Sequence, residues 1–196
     1  MTQTTDPLDP FSEMEECFDK SLIDTFTIPS TEPEEEDSIE QLLYDAHNYN
    51  YCYHSNSRYS QQVSNLYREV SVALCTRALK MSPDHLASYQ AYRVRACAHW
   101  SLGKLEDAVT DYSNALTSLH EKSTEAISLE ETRDVQDTIS IKETIAVTLL
   151  ERANILYLLD RLGECRQDIL LAGKTAPRLY RTVKMLPILR LRANLV

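Results

Sequence analysis

The sequence predicts an all-α protein, built as a stack of antiparallel helical hairpins with a C-terminal capping helix. Three observations lead to this fold class. The chain of 196 residues contains only three glycines, although the tight turns between strands favour glycine. Apolar residues recur with the spacing of amphipathic helices. Small and large apolar residues also return at identical offsets in two separate stretches, as expected of hairpins that share one core.

Residues 1–37 form an acidic segment that we predict to be a disordered tail. Residues 1–40 contain thirteen acidic residues and one lysine, a net charge of −12, and four of the seven prolines lie within 1–37. Such a segment buries too little apolar surface to offset the chain entropy lost on folding. Two apolar islands, FSEMEECF and SLIDTFTI, leave open whether the tail is only solvated or docks transiently on a partner.

The remainder, residues 38–196, is predicted to be the helical domain. Its first helix starts at Ser38, where Gln41 completes the pattern of a capping box. The polar stretch 118–141 is predicted to be an insertion that either lengthens the preceding helix or forms a loop. The other helices are expected over 58–81, 85–102, 105–120, 142–159 and 162–175.

The C-terminal segment is basic and amphipathic. Residues 172–196 carry six basic residues and no acidic residue. We predict a capping helix over about 178–190, which Pro187 ends or kinks. Two alternatives stay open: a basic helix that lies on a membrane or an acidic partner, and a surface onto which the acidic tail folds back.

Two stretches of the chain repeat one pattern. Ala96 precedes Ala115 by 19 residues, and Ala153 precedes Ala172 by the same 19. Small side chains let two helices approach closely, and one large residue then fills the gap. The shared small and large positions within each copy are Ala108 and Tyr112, and Cys165 and Ile169.

A third copy is fainter. Its mark is Ala78, and Ser71 and Cys75 fit the second helix of the pattern. Tyr59, however, stands where the first helix needs a small residue. The three marks lie 37 and then 57 residues apart, and the longer gap places the insertion.

These positions resemble the tetratricopeptide repeat, a helix–turn–helix unit of about 34 residues. The resemblance implies about three repeats, over 58–84, 85–120 and 142–177, of which the first is degenerate. The matching repeat-packing residues are Ala96, Gly103, Leu105, Ala108, Tyr112 and Ala115 in the best copy, and Ala153, Leu162, Cys165, Ile169, Ala172 and Pro177 in the next.

The resemblance also implies a function. In this family the first helices of successive repeats line a concave groove that holds a peptide or a helix of a partner protein. Trp100 and Tyr157 are candidate anchors of that partner, or packing residues between helices. The groove-facing residues of this chain would be Gln90, Arg93, Val94, Cys97, Trp100, Val147, Leu150, Glu151, Asn154 and Tyr157.

Family members that serve chaperones hold a C-terminal carboxylate with a clamp of lysine, asparagine and arginine. The positions that match the asparagine and the arginine are Val94 and Glu151. An apolar side chain and a negative charge cannot hold a carboxylate. We therefore expect no carboxylate clamp, although a co-chaperone or assembly-factor role stays open.

The sequence favours an adaptor over an enzyme. It contains neither a glycine-rich phosphate loop nor a His-Glu-x-x-His motif, and we expect no catalytic residue, no cofactor and no bound metal. One alternative is a structural subunit of a larger complex. The other is a metal protein or enzyme that uses its Cys/His-bearing segment, where His47, Cys52 and His54 lie close together.

Charge, hydropathy and cysteine content bound the partners and the compartment. Residues 41–196 carry a net charge of only +2, too little for a nucleic-acid partner. No apolar run is long enough for stable membrane insertion. The five cysteines are scattered and odd in number, as expected of reduced thiols in the cytoplasm or nucleus.

Overall fold

The computed structural model describes residues 26–51, 61–81, 83–128 and 135–182. All regular secondary structure in these residues is helical, which confirms the all-α fold class. The described helices are α1 (Ile39–Tyr51), α2 (Gln61–Lys80), α3 (His85–Ser101), α4 (Leu105–Ser128), α5 (Val135–Leu158), α6 (Leu162–Thr175) and α7 (Pro177–Thr182).

Each helix packs against the next one along the chain, from α1 to α7. Two further contacts join α1 to α3 and α5 to α7. A smaller core lies among α1, α2 and α3, and a larger core lies among α3, α4, α5 and α6. The described helices therefore follow one another as three hairpins, α1–α2, α3–α4 and α5–α6, with α7 against the last.

Local signals explain where α3 begins and ends. Asp84 precedes α3, and its carboxylate accepts a hydrogen bond of 2.8 Å from the amide of Ala87, which satisfies one unpaired donor of the first turn. Gly103 follows the helix with φ at 76°, a left-handed conformation that glycine adopts without a steric penalty. The chain then turns into α4, which packs antiparallel to α3 as a hairpin.

The first hairpin differs from the prediction. The described residues of range 58–84 form a single helix, α2, and its partner is α1. Ala46 of α1 is fully buried, and its carbonyl oxygen accepts a hydrogen bond of 2.8 Å from Ser71 Oγ. Ala46 thus supplies the small residue that Tyr59 does not, and Tyr59 itself lies outside the described residues. The longer connection between α1 and α2 shifts the pattern out of register.

The predicted insertion is helical over most of its length. α4 continues to Ser128 and α5 begins at Val135, so range 118–141 extends both helices. α7 starts at Pro177 and is described to Thr182; the rest of the predicted capping helix lies outside the described residues. Leu179 of α7 packs against the larger core.

Part of the predicted disordered tail lies against α2. Residues 1–25 are outside the described residues, but Arg77 of α2 is buried and binds the segment 26–37. Its guanidinium donates to the carbonyl of Ser30 at 3.0 Å, to Glu34 at 2.9 Å and to Asp37 at 3.1 and 3.3 Å. A buried guanidinium requires such partners, which is why this acidic stretch has a fixed place.

We expect Arg77→Ala to detach the segment 26–37 and to lower the free energy of unfolding by about 2 kcal/mol, because charge-assisted hydrogen bonds are lost. Hydrogen exchange should rise across that segment. Lys80→Ala is the matched control, since Lys80 pairs with Glu32 at 2.6 Å on the surface, where such pairs contribute at most about 1 kcal/mol. Unchanged protection in Arg77→Ala would contradict this role of Arg77.

Candidate functional site

A buried ionic network joins the helices of the second hairpin. Arg95 of α3 donates to both carboxylate oxygens of Asp111 on α4, at 2.9 and 2.7 Å. The same guanidinium donates to the hydroxyl of Thr76 on α2, at 3.0 Å. That hydroxyl donates to the carbonyl of Val72 at 2.7 Å. The network thus links α3 to its own hairpin partner and to the preceding hairpin.

The third hairpin contains the same network. Arg152 of α5 donates to both oxygens of Asp168 on α6, at 2.8 and 2.7 Å, and to the hydroxyl of Ser113 on α4, at 2.8 Å. The Ser113 hydroxyl donates to the carbonyl of Val109 at 2.7 Å. The same arrangement of ionic contacts therefore occurs in two hairpins. These contacts are made by other residues than the small ones of the repeated pattern.

The sequence contains a signal for this network that our reading of the small residues misses. Each arginine immediately precedes the small residue of its first helix, and each aspartate lies 16 residues after its arginine. The first hairpin breaks the pattern, because Asp45 and Leu74 occupy the equivalent places.

Asp111 has a second basic neighbour. His99 Nδ1 lies 3.2 Å from Asp111 Oδ2, with both side chains largely buried. Burial acts to raise the pKa of the Asp111 carboxyl, but the contacts with His99 and Arg95 outweigh it and hold that pKa below its usual value. Asp111 is thus held in its ionised form, as a network with a buried arginine requires.

Most of the residues that match packing positions of the tetratricopeptide repeat are buried. The buried ones are Ala96, Ala108, Tyr112, Ala115, Ala153, Cys165, Ile169 and Ala172. Leu105 is half-buried against the larger core, whereas Gly103 and Pro177 are exposed. Leu162 is 44% exposed, which corrects its assignment as a packing residue. It opens α6 at a turn, where much of its side chain stays in contact with water.

The predicted groove residues fall into three groups. Leu150 is buried in the larger core and cannot contact a partner, which corrects that assignment; its position on α5 turns it towards the core rather than the groove. Exposed side chains are Gln90, Trp100 and Tyr157. Half-buried ones are Arg93, Val94, Cys97, Val147, Glu151 and Asn154.

Arg93 and Glu151 bind each other. The guanidinium of Arg93 on α3 donates to both carboxylate oxygens of Glu151 on α5, at 2.9 and 2.6 Å. These hydrogen bonds raise the pKa of Arg93 above its usual value. The pair bridges two first helices and leaves neither charge uncompensated. The backbone carbonyl of Val94 accepts a hydrogen bond of 3.4 Å from Asn50 Nδ2 on α1.

An open cleft of about 590 Å³ lies between α1 and α3, and we call it the α1–α3 cleft. Tyr44 and Leu86 are its most exposed apolar side chains, at 64% and 41%. Reasoning from the repeat pattern misses the α1 wall, because that pattern places the first hairpin elsewhere. The lining residues are Ile39, Glu40, Leu43, Tyr44, His47, Asp84, Leu86, Ala87, Tyr89, Gln90, Arg93 and Val94.

The described cysteines have raised pKa values. Burial raises the pKa of Cys75 to about 12 and also raises those of Cys97 and Cys165. The thiolate, which is the nucleophile and metal ligand, is therefore disfavoured at all three. Of the candidate metal cluster, Cys52 and His54 lie outside the described residues. Within the described ranges, no three His, Cys, Asp or Glu side chains are grouped as a metal site.

None of the described helices combines the length and apolar character needed to cross a bilayer. No protein-family model matches the chain, and no match is found among curated proteins or solved structures.

Proposed function

We propose that this chain is a non-enzymatic interaction module: a stack of tetratricopeptide-like hairpins that binds a peptide or helix of a partner protein. The α1–α3 cleft carries the proposal. It lies on the side formed by the first helices of consecutive hairpins, where the resemblance places a binding groove. Its volume of about 590 Å³ is that of a site for several side chains.

The exposure of the cleft's walls supports this proposal. Tyr44 of α1 and Leu86 of α3 both line the cleft and keep large apolar areas in contact with water. Large side chains of this kind contribute most of the binding free energy at protein interfaces. Trp100 lies further along α3 and is also exposed, so an occupant longer than the cleft would find a further aromatic contact.

The Arg93–Glu151 pair argues against one form of recognition. A partner carboxylate would have to compete with Glu151 for the guanidinium, which already has both bonds of a bidentate pair. The module we propose therefore has no carboxylate clamp. It holds a partner by apolar contact rather than by a terminal charge.

A second candidate function is a subunit of a larger assembly. Leu170 and Leu171 on α6 are 55% and 47% exposed, and exposed apolar side chains on the last long helix of the described residues suit an interface with another protein. Leu170 also stands at the position that Thr76 and Ser113 occupy in the preceding hairpins. In those hairpins this position contacts the next one.

Selection of a random peptide library against the full-length protein tests the first proposal. We expect the wild type to enrich peptides, and we expect Tyr44→Ala combined with Leu86→Ala to bind them at least about tenfold more weakly, since two anchor contacts are lost. Fluorescence anisotropy with the enriched peptides measures the change. Both residues are exposed, so the fold should survive, and circular dichroism checks this.

The matched control is Leu170→Ala combined with Leu171→Ala, which removes comparable exposed apolar area from α6. This variant should bind the enriched peptides as the wild type does. Peptides that bind the cleft variant normally but fail on the α6 variant would instead support the assembly-subunit function.

A further inference from the structure

We propose that the α1–α3 cleft selects partner segments that combine apolar side chains with lysine or arginine. This inference rests on the proposed function and adds the charge of the partner to it. It follows from the placement of carboxylates around an apolar cleft and from the neutralisation of the cleft's arginine.

The walls of the cleft supply the apolar part of the site. α1 contributes Ile39, Leu43 and Tyr44, and α3 contributes Leu86 and Tyr89. Leu43 and Tyr89 are buried and form a floor, while Tyr44 and Leu86 stand exposed as rims. A segment with two or three apolar side chains on one face would cover these rims.

Two carboxylates border the same cleft. Glu40 lies in the first turn of α1, and Asp84 precedes α3; both are exposed. The hydrogen bonds from Ser38 and from the backbone hold the pKa of Glu40 below its usual value, and the charge of Asp84 acts weakly in the opposite direction. The two carboxylates are thus close enough to repel each other. Glu40 accepts a hydrogen bond from Ser38, and Asp84 accepts one from the amide of Ala87. Neither forms an ion pair with a lysine or arginine of the described residues.

The helix termini do not cancel these charges. Both α1 and α3 begin at this end of the cleft, and each N-terminus carries about half a positive charge. Two full negative charges therefore exceed the two partial positive ones. Glu35 and Glu36 are also exposed, in the chain that enters α1.

The arginine of the lining does not offset this charge. Arg93 is neutralised by its bidentate pair with Glu151. His47 is the other basic residue of the lining, and it has an interaction of its own. An approaching lysine or arginine would thus meet apolar surface together with two carboxylates that form no ion pair with a lysine or arginine of the described residues.

The charges of two other segments of this chain indicate how each would interact with the cleft. Residues 1–25 contain seven acidic residues and one lysine, so the acidic tail would be repelled. Residues 183–196 contain three basic residues, no acidic residue and many apolar ones. They match the preferred chemistry, and the experiment therefore includes them as a competing occupant.

Two synthetic peptides of about 18 residues, five helical turns, test the inference on the full-length protein. One is an amphipathic peptide of leucine and lysine, and its twin has glutamate in place of lysine. We expect the lysine peptide to bind at least tenfold more tightly at low salt. This preference should shrink in about 0.5 M salt, because exposed charges are then screened.

Glu40→Gln combined with Asp84→Asn should reduce the preference to less than about threefold. Asparagine caps a helix as well as aspartate does, so α3 should keep its start. Asp107→Asn combined with Asp160→Asn is the matched control: it removes the same charge from exposed positions outside the lining and should leave the preference unchanged.

Several results would overturn the inference. Equal binding of both peptides, abolished by Tyr44→Ala with Leu86→Ala, would refute the charge preference and leave the proposed function intact. If the control variant lost the preference to the same extent, the preference would arise from the overall charge of the protein and not from the cleft. Failure of both peptides together with failure of the library selection would count against the proposed function itself.

The chain's own C-terminal segment is tested by changing Lys184, Arg190 and Arg192 to glutamine. If the lysine peptide binds only after this change, the occupant of the cleft is residues 183–196 of this chain. That result would overturn the assignment of the cleft to a partner protein. If the lysine peptide binds equally strongly with and without the change, the assignment of the cleft to a partner protein is supported.

Discussion

Replacing Asp111 with alanine is expected to lower the free energy of unfolding by about 3 kcal/mol. The substitution leaves the guanidinium of Arg95 without its bidentate partner in a largely buried place, and it also removes the neighbour of His99. A buried charge without a partner costs far more than the pair contributes when intact. Chemical denaturation followed by far-UV circular dichroism measures the change.

The third hairpin provides a parallel test of the same network. Asp168→Ala should cost a comparable amount, because Arg152 then loses the equivalent partner in a similarly buried place. Thr117→Ala is the control on α4: its exposed hydroxyl bonds only within its own helix, and we expect a change within about 0.5 kcal/mol. A loss below 1 kcal/mol in both aspartate variants would show that the networks do not hold the hairpins together.

Tyr112→Ala should have a still larger effect, about 4 kcal/mol. Tyr112 is fully buried and is the largest such side chain among the described residues. It lies in the larger core with Ala96 and Ala115, so its removal leaves a cavity where α3 and α4 meet. The same denaturation experiment measures this loss, and a fall in cooperativity would accompany the opening of the hairpin.

Tyr112→Phe is the matched control for the second prediction. It keeps the ring and removes only the hydroxyl, which lies 3.1 Å from Cys97 Sγ. We expect a loss of at most about 1 kcal/mol. If the phenylalanine and alanine variants were equally unstable, the hydroxyl contact rather than the filling of the core would account for the role of Tyr112.

The substitutions of Tyr112 and Asp111 test two different interactions within the same hairpin. Tyr112 fills the space that small alanines leave between α3 and α4, and Asp111, its neighbour in sequence, holds Arg95 on the adjacent side of α4. Consecutive residues of one helix thus serve packing and ionic pairing separately. The two effects can be combined in a double variant, whose non-additivity would measure the coupling between core and network.

The sequence predicted the helix ends that flank the turns of the later hairpins well because their signals are local. Asp84 and Gly103 mark the two ends of α3, and the observed helix differs from the predicted range 85–102 by one residue. The range 162–175 is the observed extent of α6. Caps, turns and amphipathic spacing act within a few residues, so they can be recognised without knowing the neighbours in space.

The first hairpin and residues 26–37 of the acidic segment differ from the prediction for a physical reason. The connection between α1 and α2 is longer than the connection within each of the other hairpins. Counting 19 residues back from Ala78, as in the other copies, therefore led to Tyr59 instead of Ala46. The charge of residues 26–37 suggested disorder, because composition does not reveal that Arg77 is buried beside them. In both cases the deciding partner lies far away in sequence.

By itself, the sequence determined that this chain is helical, where most of its helices begin and end, and which small residues allow α3 and α5 to pack closely on their partners. The tertiary structure alone decided which surface is open: it paired Arg93 with Glu151, buried Leu150, and placed Tyr44 and Leu86 in the lining of one cleft. The reason is that a helix forms through interactions between residues that are close in sequence. A cleft lies between two helices, so its shape depends on residues that are far apart in sequence.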